Sequence, residues 1–346
     1  MLVVSPLLKR VVYPALHHTG WLDRVTPVAG YAVVNYHGVL PSGYSSTDVF
    51  LDGSLVEPAV FRQHLQFLKA HYHVIHPEDF RASIEQGRPL PPRAVLLTCD
   101  DGLINTFTDM LPVLQAENVS CLFFVTSASC CDQPRALWFE ELYQLMHINP
   151  TIGLDPRLPK DEGASPEPAN GLQSLWWSTV RKASRWDART RADWMDSART
   201  YCNLARSFAS DRRWRLLGGS ELKQLADAGM SIGAHTRSHT VLSLCSEEEA
   251  RREIQDSKSD IERTLGRPVW AFAYPFGDPS TVGQRELRLA QEAGFSCAFV
   301  NVEHWETECS NYFALERTHV TSDMTMPELA AHLSGIHTRL QRAVAG

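Results

Sequence analysis

Ala94-Val95-Leu96-Leu97-Thr98-Cys99 runs directly into Asp100-Asp101-Gly102. An apolar run of this length, closed by a glycine, predicts a strand buried on both faces, as in parallel sheets. Acidic side chains at the carboxyl end of such a strand stand where α/β folds place their chemistry. Two adjacent carboxylates repel each other and ionise together only beside positive charge, which a divalent cation would supply. Taken alone, the same residues could be no more than an Asp-Asp-Gly turn. They are matched, however, by Ser231-Ile232-Gly233-Ala234-His235-Thr236-Arg237-Ser238-His239, a second short apolar strand followed by two imidazoles four residues apart.

Around these two segments the chain alternates strands and helices. Tyr31 to His37 predicts a strand, ending in His37-Gly38, and a helix opens near Pro58. Helix 104–117 and strand Val119 to Thr126 follow the Asp-Asp segment. Ser246-Glu247-Glu248-Glu249 is a capping box opening a helix that stops at Gly266. Then come strand Val269 to Tyr274 with the turn Pro275-Phe276-Gly277, strands Phe295 to Val300 and Phe313 to Arg317, and a final helix from Met326. Seven or eight strands in this rhythm imply a parallel sheet, either a barrel or doubly wound. The rhythm breaks over residues 132–217, which contain six of the nine tryptophans (Trp138, Trp176, Trp177, Trp186, Trp194, Trp214). We read this region as a helical insertion within a single domain spanning 1–346. Its tryptophans either bury the insertion or line a groove that stacks on sugar rings.

Bulk composition excludes several function classes. With Lys+Arg 33 against Asp+Glu 40 the net charge is −7, and no basic patch with interleaved aromatics marks a nucleic-acid surface. The 8 cysteines form no C-x-x-C pair and several sit in apolar strands, so a reducing compartment is expected rather than a disulfide scaffold. Near the N-terminus Leu2-Val3-Val4 is too short for a signal-peptide core, and Lys9 and Arg10 follow it rather than precede it. No run approaches a membrane span. Leu7, Leu8, Val11, Val12, Ala15 and Leu16 could form one face of a short helix. We expect that face to pack on the domain, the alternative being a bilayer surface. A cytoplasmic location follows, with peripheral attachment to the inner face of the membrane left open. Oligomeric state is not readable.

Thr98-Cys99-Asp100-Asp101-Gly102, then His235-Thr236-Arg237-Ser238-His239, then Tyr274-Pro275-Phe276-Gly277 resemble, in this order, the three motifs of the polysaccharide deacetylases. These are the NodB-homology group, carbohydrate esterase family 4. The resemblance spans about residues 30–130 and 218–335 and leaves out the tryptophan-rich region. It implies a distorted (β/α)7-type barrel and metal-dependent removal of N-acetyl groups from amino sugars. It further implies Asp101, His235 and His239 as ligands of one divalent ion, and Asp100 as general base. Two imidazoles and a carboxylate suit zinc best, with cobalt, nickel or manganese also compatible. An ion so held would acidify its water and polarise the acetyl carbonyl, while Asp100 takes the water proton. The Tyr274, Pro275 and Phe276 turn is expected to supply an oxyanion or substrate contact through a backbone N–H.

The leaving amine needs a proton donor. Members of the family often carry it in a C-terminal Leu-x-His motif, which Leu329 to His332 only nominally matches because it reads as a helix. His37, at the end of an apolar strand, is the better candidate, as though the order of segments were circularly permuted. Ala273 stands where the third motif usually has arginine, so Arg317 is the candidate to orient the base, a surface ion pair being the alternative. Cys99 replaces a usual phenylalanine without loss of a functional group. His304, His319 and His337 are read as ordinary residues. The expected activity is N-deacetylation of N-acetylhexosamine units in an exopolysaccharide or cell-envelope glycan or its precursor. A deformylase or other amidase acting on a small amidated sugar, and a non-catalytic glycan-binding protein, are the alternatives.

Overall fold

The computed structural model describes residues 6–22, 30–46, 48–130, 135–160, 171–202, 208–303 and 311–345. Eight strands lie parallel in one sheet: β1 Tyr31–Tyr36, β2 His73–Val74, β3 Ala94–Cys99, β4 Leu122–Val125, β5 Ser231–Ala234, β6 Ala271–Ala273, β7 Cys297–Phe299 and β8 Thr318–His319. Their order is β7-β6-β5-β4-β3-β1-β8, with β2 beside β3. The sheet curls into a barrel-like half-cylinder within the α/β architecture expected from the sequence. Its two edges meet through the segment leading into β8: Leu315 bridges Phe299 of β7, while β8 pairs with β1. Expected strand Phe313 to Arg317 is therefore displaced. Leu315 N donates to Ala298 O and its carbonyl accepts from Val300 N, Arg317 N donates to Val302 O, and the paired strand is Thr318–His319.

Strand periodicity sorts the side chains into two layers. Val34, Val95, Leu97, Phe123, Phe272 and Ala298 face the surrounding helices and belong to the larger core. Val33, Leu96, Phe124, Ala273, Phe299 and Leu315 face inward and fill the concave side. Continuing that alternation past the last apolar residue of each strand puts Asn35 and His37, Thr98 and Asp100, and Arg317 and His319 on the inner face at the carboxyl ends. Every residue of β3 is buried, as its unbroken apolar run requires.

Between β4 and β5 the chain forms helices Trp138–Ile148, Leu172–Ala183 and Ala188–Tyr201. They build a third apolar cluster against which Phe276 packs. Trp176, Trp194 and Trp214 are buried, and the indole N–H groups of the first two bond Phe139 O and Asp155 Oδ2. For these the core reading holds. At the N-terminus the expected apolar face divides. Leu8, Val12 and Leu16 pack on the core around buried Tyr13, whereas Leu7 and Val11 are 63% and 55% exposed. Among the described residues no helix is long and apolar enough to cross a membrane. Cys99, Cys121, Cys130, Cys202, Cys245 and Cys297 are free thiols; Cys131 and Cys309 lie outside the described residues.

Candidate metal centre and its surroundings

Asp101, directly after β3, and His235 and His239, after β5, come together in a buried cluster with one ligand atom from each within 4.8 Å of the others. Asp101 Oδ1 lies 3.5 Å from His235 Nε2 and 3.2 Å from His239 Nε2. Neither approach is aligned as a hydrogen bond, and that oxygen has no other partner. Buried polar atoms are seldom left in this condition, and a cation between the three atoms would satisfy all of them. The donor set is also chemically suitable, since His235 Nδ1 is 2.7 Å from Ala273 O. Donation to that carbonyl leaves the Nε2 lone pair facing Asp101. Burial works to raise the Asp101 carboxyl, but the two imidazoles outweigh it and hold the group well below the usual range.

Asp100 points to the other side of the same turn. Its Oδ1 and Oδ2 accept from Arg317 Nη1 at 2.7 Å and Nη2 at 2.8 Å, and Oδ2 accepts also from Asn35 Nδ2 at 2.9 Å. Arg317 is fully buried, with Nε donating to Val300 O at 2.9 Å. Its guanidinium lies over Phe124 and Phe299. Burial pushes Asp100 upward. The Arg317 charge, helped by His235, more than offsets this and keeps it below the ordinary carboxylate value. Asn35 is itself fixed: Thr98 Oγ1 donates to its Oδ1 at 3.0 Å, and its Nδ2 also reaches Asn301 Oδ1 at 3.1 Å.

The histidine loop is strained and braced. Six non-glycine residues have positive φ among the described ones, and Asp101 (76°), Thr236 (62°), His239 (53°) and Phe276 (61°) are four of them. Such conformations cost on the order of 1–3 kcal/mol each and persist where surroundings over-determine them. Here buried Glu253 accepts from Arg237 N at 2.9 Å and Ser238 N at 2.8 Å. Buried Arg191, from the helix Ala188–Tyr201, donates to Ser238 Oγ and to Thr240 Oγ1 at 3.2 Å. Glu253 and Arg191 were not visible as site residues in the sequence, because the first sits among many acids on an amphipathic helix and the second in an Arg-rich segment.

An aromatic wall stands beside His239. Its ring lies 4.6 Å from Phe139 and 5.0 Å from Phe276, and Trp177 packs on Phe276 at 5.2 Å. Trp138 Nε1 donates to His239 O at 3.2 Å. Phe139, Trp177 and Phe276 all keep partial exposure. In the same helix Glu140 has a buried Oε2 without a hydrogen-bond partner. Burial, reinforced by the negative charges of Asp101 and Asp52, raises that carboxyl well above its usual range.

His37 follows β1 and faces His319 of β8, with ring centroids 4.6 Å apart. Gly38 next to it has φ 129°, and a Cβ there would fall 2.2 Å from Asn105 Oδ1, the atom that accepts from Val39 N. In the turn after β6, Tyr274 is buried: its N–H bonds Phe299 O and its hydroxyl bonds Phe313 O. Pro275 has no N–H to give. The Phe276 N–H is the turn donor without a partner among the described residues.

A second group, Glu303, His332 and His337, also brings three ligand atoms together. One nitrogen of each imidazole is already engaged. His332 Nδ1 pairs with Glu303 Oε1 at 2.7 Å, His337 Nδ1 pairs with Tyr13 Oη at 2.7 Å, and the two rings stack at 3.8 Å. His332 lies in the helix Met326–Leu333, as expected, and tethers the terminal helices. His304 lies outside the described residues.

Compared with known proteins, residues 194–298 match the polysaccharide deacetylase family. That span includes His235, His239 and the Pro275-Phe276-Gly277 turn. No curated protein sequence matches the chain. Among solved structures it is similar to the Streptococcus pyogenes deacetylase PplD in complex with acetate, at 17% identity and TM-score 0.56, over 89% of this chain and 99% of that one. It is similar to IcaB from Ammonifex degensii at 18% identity and TM-score 0.55, over 88% and 97%. A de-N-acetylase from Aggregatibacter actinomycetemcomitans gives 13% identity and TM-score 0.53, over 87% and 99%. At these identities the likeness is one of fold.

Proposed function

We propose, taking as premise that residues 194–298 are a polysaccharide deacetylase region of NodB type, that the protein is a metal-dependent N-deacetylase. Its substrate in this reading is an N-acetylhexosamine unit of a glycan or glycan precursor. The observation that carries the proposal is the pairing of a three-donor cluster, Asp101, His235 and His239, with an adjacent ionised carboxylate that ligates nothing in it. A glycan-binding module has no use for a spare, arginine-clamped base at such a cluster.

One divalent ion, zinc by donor type, would acidify a coordinated water and polarise the acetyl carbonyl. Asp100 accepts a proton from the attacking water, and Arg317 with Asn35 fixes the direction in which its free lone pairs point. The Phe276 N–H donates to the carbonyl oxygen as it gains negative charge. His37 gives its proton to the departing nitrogen, so that the C–N bond breaks to a neutral amine and acetate. Imidazole suits this role because it gains and loses a proton near neutral pH. The partly exposed Phe139, Trp177 and Phe276 provide apolar ring surface next to the reacting centre, which suits a pyranose face.

Acetate release from acetylated chito-oligosaccharides, with bound metal measured in parallel, tests the reading. Asp100→Asn is expected to keep the metal and lose at least 100-fold in turnover, in line with the roughly 10²–10⁴-fold that a general base contributes. Near-normal turnover in that variant would remove Asp100 as the base, and formate rather than acetate as product would move the protein to the deformylases.

A further inference from the structure

We infer that His319 is a positioning residue for His37, holding the imidazole through a His37 Nδ1–H to His319 Nε2 hydrogen bond. This rests on the proposed role of His37 as proton donor. The two ring centroids are 4.6 Å apart and the planes are inclined at 47°, a separation that a ring-nitrogen to ring-nitrogen hydrogen bond can span. His37 Nδ1 and His319 Nε2 are both buried and neither has a hydrogen-bond partner in the structure. Two buried nitrogens on neighbouring rings in that state each cost a lost hydrogen bond, which pairing with the other recovers.

Strand register supplies the reason they face each other. His319 is the Cα partner of Asn35, and His37 follows Asn35 by two residues on the same face. Arg317 precedes His319 by two residues and also faces inward, where it clamps Asp100. Alternate residues at the β8 seam thus address the two groups that move protons, Arg317 the carboxylate and His319 the imidazole.

The pair has a defined polarity. Burial drives the His319 imidazole down to about 3, with the charges of His37 and Arg317 adding to the effect against Asp100 and Asp101. A ring that stays neutral across the working range retains a lone pair and acts as acceptor. His37 then keeps its proton on Nδ1 in both charge states, and Nε2 is the nitrogen that delivers a proton to substrate. In this arrangement a neutral imidazole fixes the tautomer, as a carboxylate or carbonyl does in other sites.

The test compares His319→Leu, His319→Gln and His37→Gln on two substrates in the metal-loaded protein. One is an acetylated chito-oligosaccharide, whose amine must be protonated to leave. The other is an aryl acetate, whose phenolate leaves without a proton. His319→Leu is expected to lose at least tenfold in kcat on the amide with KM within about twofold, and to keep ester hydrolysis. His319→Gln, which retains an acceptor oxygen, should recover part of the loss. Independently of turnover, the ring-nitrogen chemical shifts of His37 should report one tautomer in the parent protein and a mixture in His319→Leu. Unchanged His37 shifts in His319→Leu would overturn the inference, whatever the substrate. So would equal loss on amide and ester, which marks a general structural defect. If His37→Gln left amide turnover intact while the shifts behaved as expected, the hydrogen bond would stand and the acid assignment would fall.

Discussion

Replacing Arg317 with methionine removes the positive charge facing Asp100 while keeping much of the side-chain volume. Asp100 is 2% exposed and loses two of its three hydrogen bonds, leaving that from Asn35. Removing one partner of a buried ion pair costs about 3–5 kcal/mol, most of it the penalty of an uncompensated buried charge. Loss of the guanidinium therefore displaces the folded Asp100 carboxyl upward, because the charge that offsets its burial is gone. The sign with pH follows. In the parent protein Asp100 lies below its unfolded value, so its contribution is present above that value and is lost only as pH falls through the depressed one. In the variant burial is opposed only by the weaker pull of His235 and the Asn35 hydrogen bond, so the folded value rises and stability declines as pH rises through it. The gap between the two proteins should therefore widen from pH 5 to pH 8. Urea unfolding at both values measures it. Turnover on the acetylated saccharide should fall by about 100-fold or more, since a misdirected base forfeits most of its roughly 10²–10⁴-fold contribution. A gap under about 1 kcal/mol at pH 8, or an unchanged kcat, would refute the clamp.

Gly38→Ala combines a left-handed φ with a Cβ placed 2.2 Å from Asn105 Oδ1. A loss of about 1–3 kcal/mol in urea unfolding is expected, with reduced amide turnover because His37 is the preceding residue. Trp177→Ala should raise KM for oligosaccharides about 2- to 10-fold, matching roughly 0.5–1.5 kcal/mol for an aromatic contact, and leave kcat nearly unchanged. Buried His64, which meets Tyr36 Oη through Nδ1 at 3.1 Å, is pushed down to about 4 by burial. It is neutral in the fold but takes a proton in the unfolded chain below about 6.5, so it destabilises by up to about 3 kcal/mol as pH falls from 6.5 to 4. The difference between parent and His64→Gln in urea unfolding should shrink across that interval.

Asp100, Asp101, His235 and His239 could be read from the sequence because each follows a buried strand within a short, ordered motif. Their convergence is a consequence of parallel strands β3 and β5 flanking β4, so that all carboxyl ends open on one side. Arg317 was legible only as a candidate, and its bidentate contact depends on β8 lying next to β1 across almost the whole chain. Asn35 was missed and His319 was read as an ordinary residue, although both fall on the inward alternation of their strands. A polar residue two places from a candidate catalytic one, inside an apolar strand, was the available signal. The extent of β8 was misjudged because Phe313 to Arg317 looks like a strand, yet it meets β7 only through a bridge at Leu315 and a bond from Arg317, and pairing with β1 begins at Thr318. The contacts of Phe139, Arg191 and Glu253 with the histidine loop arise from packing between elements far apart in sequence, and no local pattern announces them.

The joint between Leu315 and Phe299 has a mechanical consequence. Only a few backbone bonds unite the first and last members of the curl there, and the guanidinium that disciplines the proton acceptor hangs from that same join. Amides of residues 315–320 should therefore exchange with solvent deuterium sooner than those of β3. The proposed deacetylation should vanish at a denaturant concentration where the helices still give their full circular dichroism, since opening the rim dismantles the candidate site before the body gives way.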